Sequence, residues 1–179
     1  ALVLVTPMLD AFRTAISCLN SPNTCIAAYK QFCIASNVRP RKFRLDMNVR
    51  WNSTYLMLQR LLPYRSTFSI FISTHYPVSN GAPPLLIPDH WYVAEKVFDF
   101  LELFYESTVA ISGVYHPTTS LMLHHVLLIA QHLSKYENDR LLRDVIVPMK
   151  TKFFKYWQNV PTLYAFAFVL NPIAKMKGF

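Results

Sequence analysis

Apolar residues recur three and four positions apart along most of this chain, the spacing that gathers them on one side of an α-helix. From Pro7 to Leu19 the set is Met8, Leu9, Phe12, Ala15, Ile16 and Leu19, and Pro7 suits a first helical turn. Asn20, Ser21, Pro22 and Asn23 read as a turn. Asn23 then fits the N-cap of a second helix carrying Ile26, Tyr29, Phe32 and Cys33, which fades near Ser36. The spacing thus predicts a helical hairpin over 1–36, with Cys18, Cys25 and Cys33 small enough to sit in its seam. The pattern breaks over 37–50. There Phe43, Leu45 and Met47 alternate with polar residues and Pro40 disfavours helix at Arg39, so an extended linker is expected.

Helical spacing returns after Arg50 and holds to the end as a helical bundle over 51–179. Asn52, Ser53 and Thr54 are capping residues ahead of a stripe of Tyr55, Leu58, Leu61 and Leu62, which meets Pro63, a residue that kinks or ends the helix. Phe68, Ile70, Phe71 and Ile72 carry the pattern to about His75. Residues 76–88 hold four prolines and a glycine and predict the one long loop, a connection or, through Pro83 and Pro84, a partner contact. Asp89 suits the cap of the longest helix, with Trp91, Ala94, Val97, Phe98, Leu101, Phe104, Tyr105 and Thr108 on one face, ending near Ser112. Pro117 and Thr118 precede a helix through Leu121, Val126, Ile129 and Leu133, and a following one reaches Trp157, with Pro148 kinking it or marking its first turn. The segment TLYAFAFVL fits a buried helix or a strand. With three glycines in 179 residues, the expectation is a single partial domain, mainly α, with any strands confined to the chain ends.

Composition narrows the partners. Hydrophobic residues make up 53% and charged residues 16% of the chain, against about 25% charged in an average soluble domain, so some apolar surface is expected to meet other protein. The opening ALVLVTP resembles the inside of an element, as expected of a fragment or a degenerate copy. No apolar run approaches the roughly 18 to 20 residues of a membrane span, and no basic region precedes the first apolar stretch, so neither a membrane partner nor a signal peptide is expected. The three cysteines form no CxxC pair and lack His at zinc-ligand spacing, which points to reduced thiols in an intracellular protein. A net charge of +8 points to an anionic partner.

Catalytic patterns are absent from the sequence: there is no GxxxxGK, GxGxxG, HExxH or GxSxG. His124 and His125 are adjacent and project about 100° apart on a helix, and His132 lies seven or eight residues on, so the three make a poor metal set. Of ten acids, Asp89, Glu95, Asp99, Glu102 and Glu106 fall on one side of the longest helix and read as a solvated face, not as carboxylates converging on divalent ions. No catalytic residue, metal ligand or cofactor is expected within this chain.

The positive signal is the segment from Arg39 to Arg50, RPRKFRLDMNVR, followed directly by WNSTYLML. Five of its twelve residues are Arg or Lys and one is acidic. Such a strip can hold a phosphate backbone, and Trp51 can offer one flat ring to an unstacked base. The candidate DNA-binding residues are Arg39, Arg41, Lys42, Arg44, Arg50, Trp51 and Asn52. The alternative is a solvated loop with Trp51 packed at a helix start.

The stretch from Asp46 to Leu58 resembles hAT-superfamily transposases, especially plant-type relatives with an N-terminal BED zinc finger, which commonly carry D-x-x-T-R-W-N-S-T-Y-x-M-L. Asp46, Arg50, Trp51, Asn52, Ser53, Thr54, Tyr55, Met57 and Leu58 match, and Val49 departs from the usual Thr. The similarity continues through FLELFYESTVAISG, HPTTSL and MKTKFFKYW to FVLNPIAKMK, a weakened form of the family's L-D-P-R-x-K in which Asn171 and Ile173 depart from it. The resemblance implies a helical insertion in an RNase-H-like domain that performs cut-and-paste transposition with a DDE acid set and divalent metal. In the family the first two acids precede this segment and the last follows it, so this chain is expected to be a non-catalytic fragment of a parent that is, or derives from, a DNA transposase. The resemblance also implies that Arg50 and Trp51 correspond to the family's Arg-Trp pair, whose Trp is thought to stack on a flipped base near the transposon end. DNA in the nucleus is the implied partner, beside a second copy or the remainder of a transposase. The competing expectation is a domesticated helical protein-interaction module without DNA contact.

Overall fold

The structure is a computed structural model that describes residues 2–21, 23–47, 50–76, 85–113, 119–158 and 162–170. Val49, Pro83 and Pro84 with most of the Pro-rich loop, Pro117, Thr118, Asn171 and Ile173 lie outside the described residues. The described chain is helical: α1 (Leu2–Asn20), α2 (Asn23–Ala35), α3 (Trp51–Leu61), a 3-10 turn (Leu62–Tyr64), α4 (Arg65–His75), α5 (Pro88–Ile111), α6 (Thr119–Tyr136), α7 (Arg143–Trp157) and α8 (Thr162–Val169). Among the described residues the only β pairing is an isolated bridge between Met47 and Arg50. TLYAFAFVL is therefore helix.

Pro7 does not open its helix, and Pro148 does not stand in the first turn of its own. α1 starts at Leu2 and runs through Pro7, and α7 runs through Pro148. Both prolines stand close to the N-terminus of their helix. Each is the sixth residue of its helix, just past the N–H groups that lack helical partners, so each removes one i→i−4 bond and its helix continues across that loss. α5 begins at Pro88 instead of being capped by Asp89. Pro88 supplies a helical φ at the first position, and Asp89 places its charge against the positive end of the helix dipole. Pro63 ends α3 through the 3-10 turn, after which α4 restarts.

The chain divides into two compact units, Leu2–Leu101 and Glu102 onward. In the first, α1 packs on α2 and α2 on α4. Its core is aromatic: Phe12 meets Trp91 at 4.7 Å between ring centroids, Tyr29 meets Phe71 at 5.0 Å, and Tyr55 stacks on Phe98 at 4.9 Å. Pairs at these spacings contribute about 0.5–1.5 kcal/mol each beyond their burial. In the second unit α6 packs against α7 and α8, with Val126, Leu133, Leu142 and Ile146 buried. The five acids of α5 are all exposed, as a solvated face requires.

All three cysteines are free thiols, and Cys33 is buried. Tyr76 closes the α1–α2 hairpin, its hydroxyl 3.0 Å from Cys25 Sγ and donating to the Cys18 carbonyl at 2.9 Å. No described helix is long and apolar enough to cross a membrane.

Candidate nucleic-acid interface

The basic strip has a defined start. α2 ends where Asn37 takes a left-handed backbone (φ 55°), with Asn37 N–H bonded to the Ile34 carbonyl and Val38 N–H to the Cys33 carbonyl. This is a Schellman closure with Asn where Gly is commonest, and it turns the chain out of the helix into the strip. The strip is then pinned at three points.

Phe43 is the first. It is buried among Tyr29, Tyr64 and Phe68, with centroids 5.3–6.0 Å away, and its carbonyl accepts from Asn20 Nδ2 at 3.0 Å. Of the alternating trio only Phe43 is buried, while Leu45 and Met47 are exposed. The second point is Tyr64, whose hydroxyl donates to the Arg39 carbonyl at 2.9 Å.

Asp46 is the third. Its side chain is fully buried and accepts from Arg13 Nε and Nη2 and from Thr54 Oγ1, each at 2.7 Å. Burial by itself would raise the Asp46 carboxyl, but the hydrogen bonds from Arg13 and Thr54 outweigh it and hold the group below the ordinary carboxylate value. The same bond raises the Arg13 guanidinium. Asp46 thus locks the strip to α1 on one side and α3 on the other.

The start of α3 departs from expectation. Arg50, not Asn52, Ser53 or Thr54, occupies the N-cap, and it makes no side-chain cap bond. The three expected caps fall inside the helix, where two of them reach back to the strip. Ser53 Oγ accepts from Met47 N–H at 2.7 Å and lies 2.6 Å from the Arg50 carbonyl, and Thr54 holds Asp46. These bonds tie the Met47 and Arg50 backbones to the first turn of α3.

On this scaffold Arg39, Arg41 and Lys42 come together around a recess of about 500 Å³ with Pro40 and Tyr64. Arg44 lines a smaller one of about 140 Å³ with Ser53, Leu56 and Arg60. Arg50 and Trp51 line neither. Arg50 is exposed, Trp51 is 41% exposed, and Asn52 is partly buried with its Oδ1 lacking a hydrogen-bond partner. The strip's five cations are all solvent-facing while its single acid is neutralised inside.

Sequence reasoning missed Arg13, Tyr64 and Arg60. Arg13 carried one signal, a cation between the apolar positions Phe12 and Ala15, but its partner lies 33 residues away. Among the described residues no group of three or more His, Cys, Asp or Glu is placed to hold a metal ion. Four of the ten acids form ion pairs among the described residues: Asp10 and Asp46 with Arg13, Glu95 with Arg65, and Glu137 with Lys150. The His125 ring bonds the buried Ser107 hydroxyl at 3.0 Å, and its pKa is lowered by burial and by His124.

The family model of the ZBED1 RNase-like helical domain matches residues 1–100, and that of the hAT-like transposase, RNase-H fold, matches residues 120–179. Zinc finger BED domain-containing protein RICESLEEPER 1 from Oryza sativa subsp. japonica is 28% identical over 92% of this chain and 23% of its own length. RICESLEEPER 2 from the same plant is 32% identical over 74% of this chain and 18% of its own. A putative AC transposase of Zea mays is 30% identical over 71% and 16%. The chain thus spans less than a quarter of these relatives, and no solved structure matches it. With both family models in chain order and these relatives along most of its length, the chain belongs to the hAT superfamily of transposase-like proteins.

Proposed function

We propose that this chain is a DNA-gripping, non-catalytic part of a hAT-like transposase acting in the nucleus. Its basic strip, through Arg39, Arg41, Lys42 and Arg44, holds the phosphate backbone, while Arg50, Trp51 and Asn52 meet the DNA end. The observation that carries this reading is the strip's one-sided charge. Asp46 is buried and paired, so the strip presents cations without a competing acid, and three anchors hold it in shape before any ligand arrives. Preorganised cations lose little entropy on binding a polyanion. Trp51, partly exposed at the first turn of α3, supports a stacking role.

Strand cleavage is assigned to acids outside this chain, as the resemblance to the family implies. Divalent-metal-dependent nicking by this polypeptide alone would refute that assignment. Fluorescence anisotropy with hairpin or flapped DNA tests the grip. Charge reversal at Arg41, Lys42 and Arg44 should weaken binding at least tenfold at low salt, by loss of about three phosphate contacts. Unchanged affinity would refute the reading.

A second reading, a helical protein-contact module without DNA contact, is favoured by exposed apolar side chains on and after α7. Val147, Phe154 and Tyr156 are exposed there, as are Phe166 and Leu170 farther on. Its partner would be a second copy or the remainder of a transposase. Light scattering that finds a monomer at every concentration would count against self-association.

A further inference from the structure

The recess of about 140 Å³ beside the strip has two walls. Arg44 and Leu45 form one, held from both ends because Phe43 and Asp46, their neighbours in the chain, are buried. Ser53, Leu56, Met57 and Arg60 form the other, and their spacing of three and four places them on one face of α3. The hydrogen bond from Thr54 Oγ1 to the Asp46 carboxylate, at 2.7 Å, ties the two walls together. The recess is therefore set before any ligand arrives.

Its charge has one sign. Neither Arg44 nor Arg60 pairs with an acid among the described residues. Ser53 is already spent, accepting from Met47 N–H at 2.7 Å and lying 2.6 Å from the Arg50 carbonyl. What remains is two arginines beside the apolar side chains of Leu45 and Leu56. The space is well below the roughly 300 Å³ at which small-ligand pockets begin, so it suits one anionic group with a few carbons attached. A phosphodiester with its adjoining sugar carbons has that composition, and guanidinium forks match phosphate oxygens. A carboxylate side chain would also satisfy the cations. Arg44, however, continues the strip whose other cations line the recess at Arg39, Arg41 and Lys42, and such a row fits a repeating polyanion better than one carboxylate.

We infer that Arg60 is a DNA contact and shares with Arg44 a single phosphate of one strand, whose sugar carbons lie against Leu45 and Leu56. The inference rests on the DNA reading above and extends its footprint from the strip onto α3. A cation in the last turn of α3 also favours the helix dipole, a structural role whose loss lowers stability and leaves affinity alone.

Fluorescence anisotropy of the full 179-residue chain with duplex-bearing hairpin DNA, repeated across salt concentrations, separates the two roles. Arg60→Gln should bind about fivefold more weakly at low salt. Arg60→Lys keeps the charge at the helix end and should recover part of that loss with an unchanged denaturation midpoint. Because one phosphate is released once, Arg44→Gln/Arg60→Gln should lose less than the product of the two single losses and flatten the log-log salt slope by about 1. Losses that multiply, with the slope flattened by about 2, overturn the shared phosphate. An equal loss in Arg140→Gln, which removes an exposed charge from the second unit, also overturns it by reducing Arg60 to general charge. So does wild-type affinity in Arg60→Gln while charge reversal at Arg41 and Lys42 still weakens binding. Binding of a Glu-rich peptide that depends on Arg60, where DNA binding does not, overturns it in favour of an acidic protein segment. Absence of any DNA binding by the wild-type chain overturns the DNA reading itself.

Discussion

Replacing Arg13 by Met strands a carboxylate. Asp46 is fully buried and loses two of its three 2.7 Å hydrogen bonds, keeping only the one from Thr54. Removing one partner of a buried ion pair costs about 3–5 kcal/mol. Arg13 is itself about one-quarter exposed, so water partly screens the pair and the lower end, about 3 kcal/mol, is the expected loss. Urea denaturation followed by circular dichroism at pH 7 measures it as a shift of midpoint at constant slope.

The pH dependence gives the sign. The Asp46 carboxyl is depressed below its ordinary value of 3.8 in the folded chain, so its contribution is full above that value and is lost as pH falls through the lower folded one. In Arg13→Met the buried carboxyl is unpaired and its pKa rises, so protonation relieves the variant while it weakens the wild type. The gap between them should narrow as pH drops below about 5. The double variant Arg13→Met/Asp46→Leu should recover most of the loss, because it leaves no buried charge. A deficit under about 1 kcal/mol, or one independent of pH, would refute the claim that this pair locks the strip.

Phe43→Ala should cost about 3–5 kcal/mol and loosen the strip, seen as a lower denaturation midpoint with weaker DNA binding. Ser53→Ala should cost about 1 kcal/mol and speed hydrogen exchange at the Met47 amide, whose side-chain acceptor disappears. Asn37→Val should destabilise by about 1–2 kcal/mol because a β-branched residue fits the left-handed backbone poorly, whereas Asn37→Gly should not; thermal melting separates the two.

The helices were legible because apolar spacing and the proline and glycine distribution act locally. Met8, Phe12, Ile16 and Leu19 are buried on α1 as the periodicity requires, and Phe68, Phe71 and Ile72 on α4. Helix starts were less legible. Three good capping residues after Trp51 suggested a cap there, but Ser53 and Thr54 are drawn to Met47 and Asp46, bonds that exist only once the strip folds back. Pro7 misled for a related reason: the apolar spacing does not set where a helix starts, and α1 begins five residues before it.

The candidate site was half visible. Its cations and Trp51 stand out in the sequence, and so does the match to the family motif. The burial of Asp46 depends on Arg13, 33 positions away, which no local pattern announces. Asp46 read as an element of a motif, whereas its physical work is to remove the strip's one negative charge from the surface.

The salt dependence of binding tests the central claim most directly. If Arg39, Arg41, Lys42, Arg44 and Arg50 each neutralise a phosphate, log affinity for duplex-bearing hairpin DNA should fall with log salt at a slope of about −4 to −5. Charge reversal at three of them should flatten that slope by about 3. A slope near zero in the wild-type chain, or one that the reversals leave unchanged, would contradict the account.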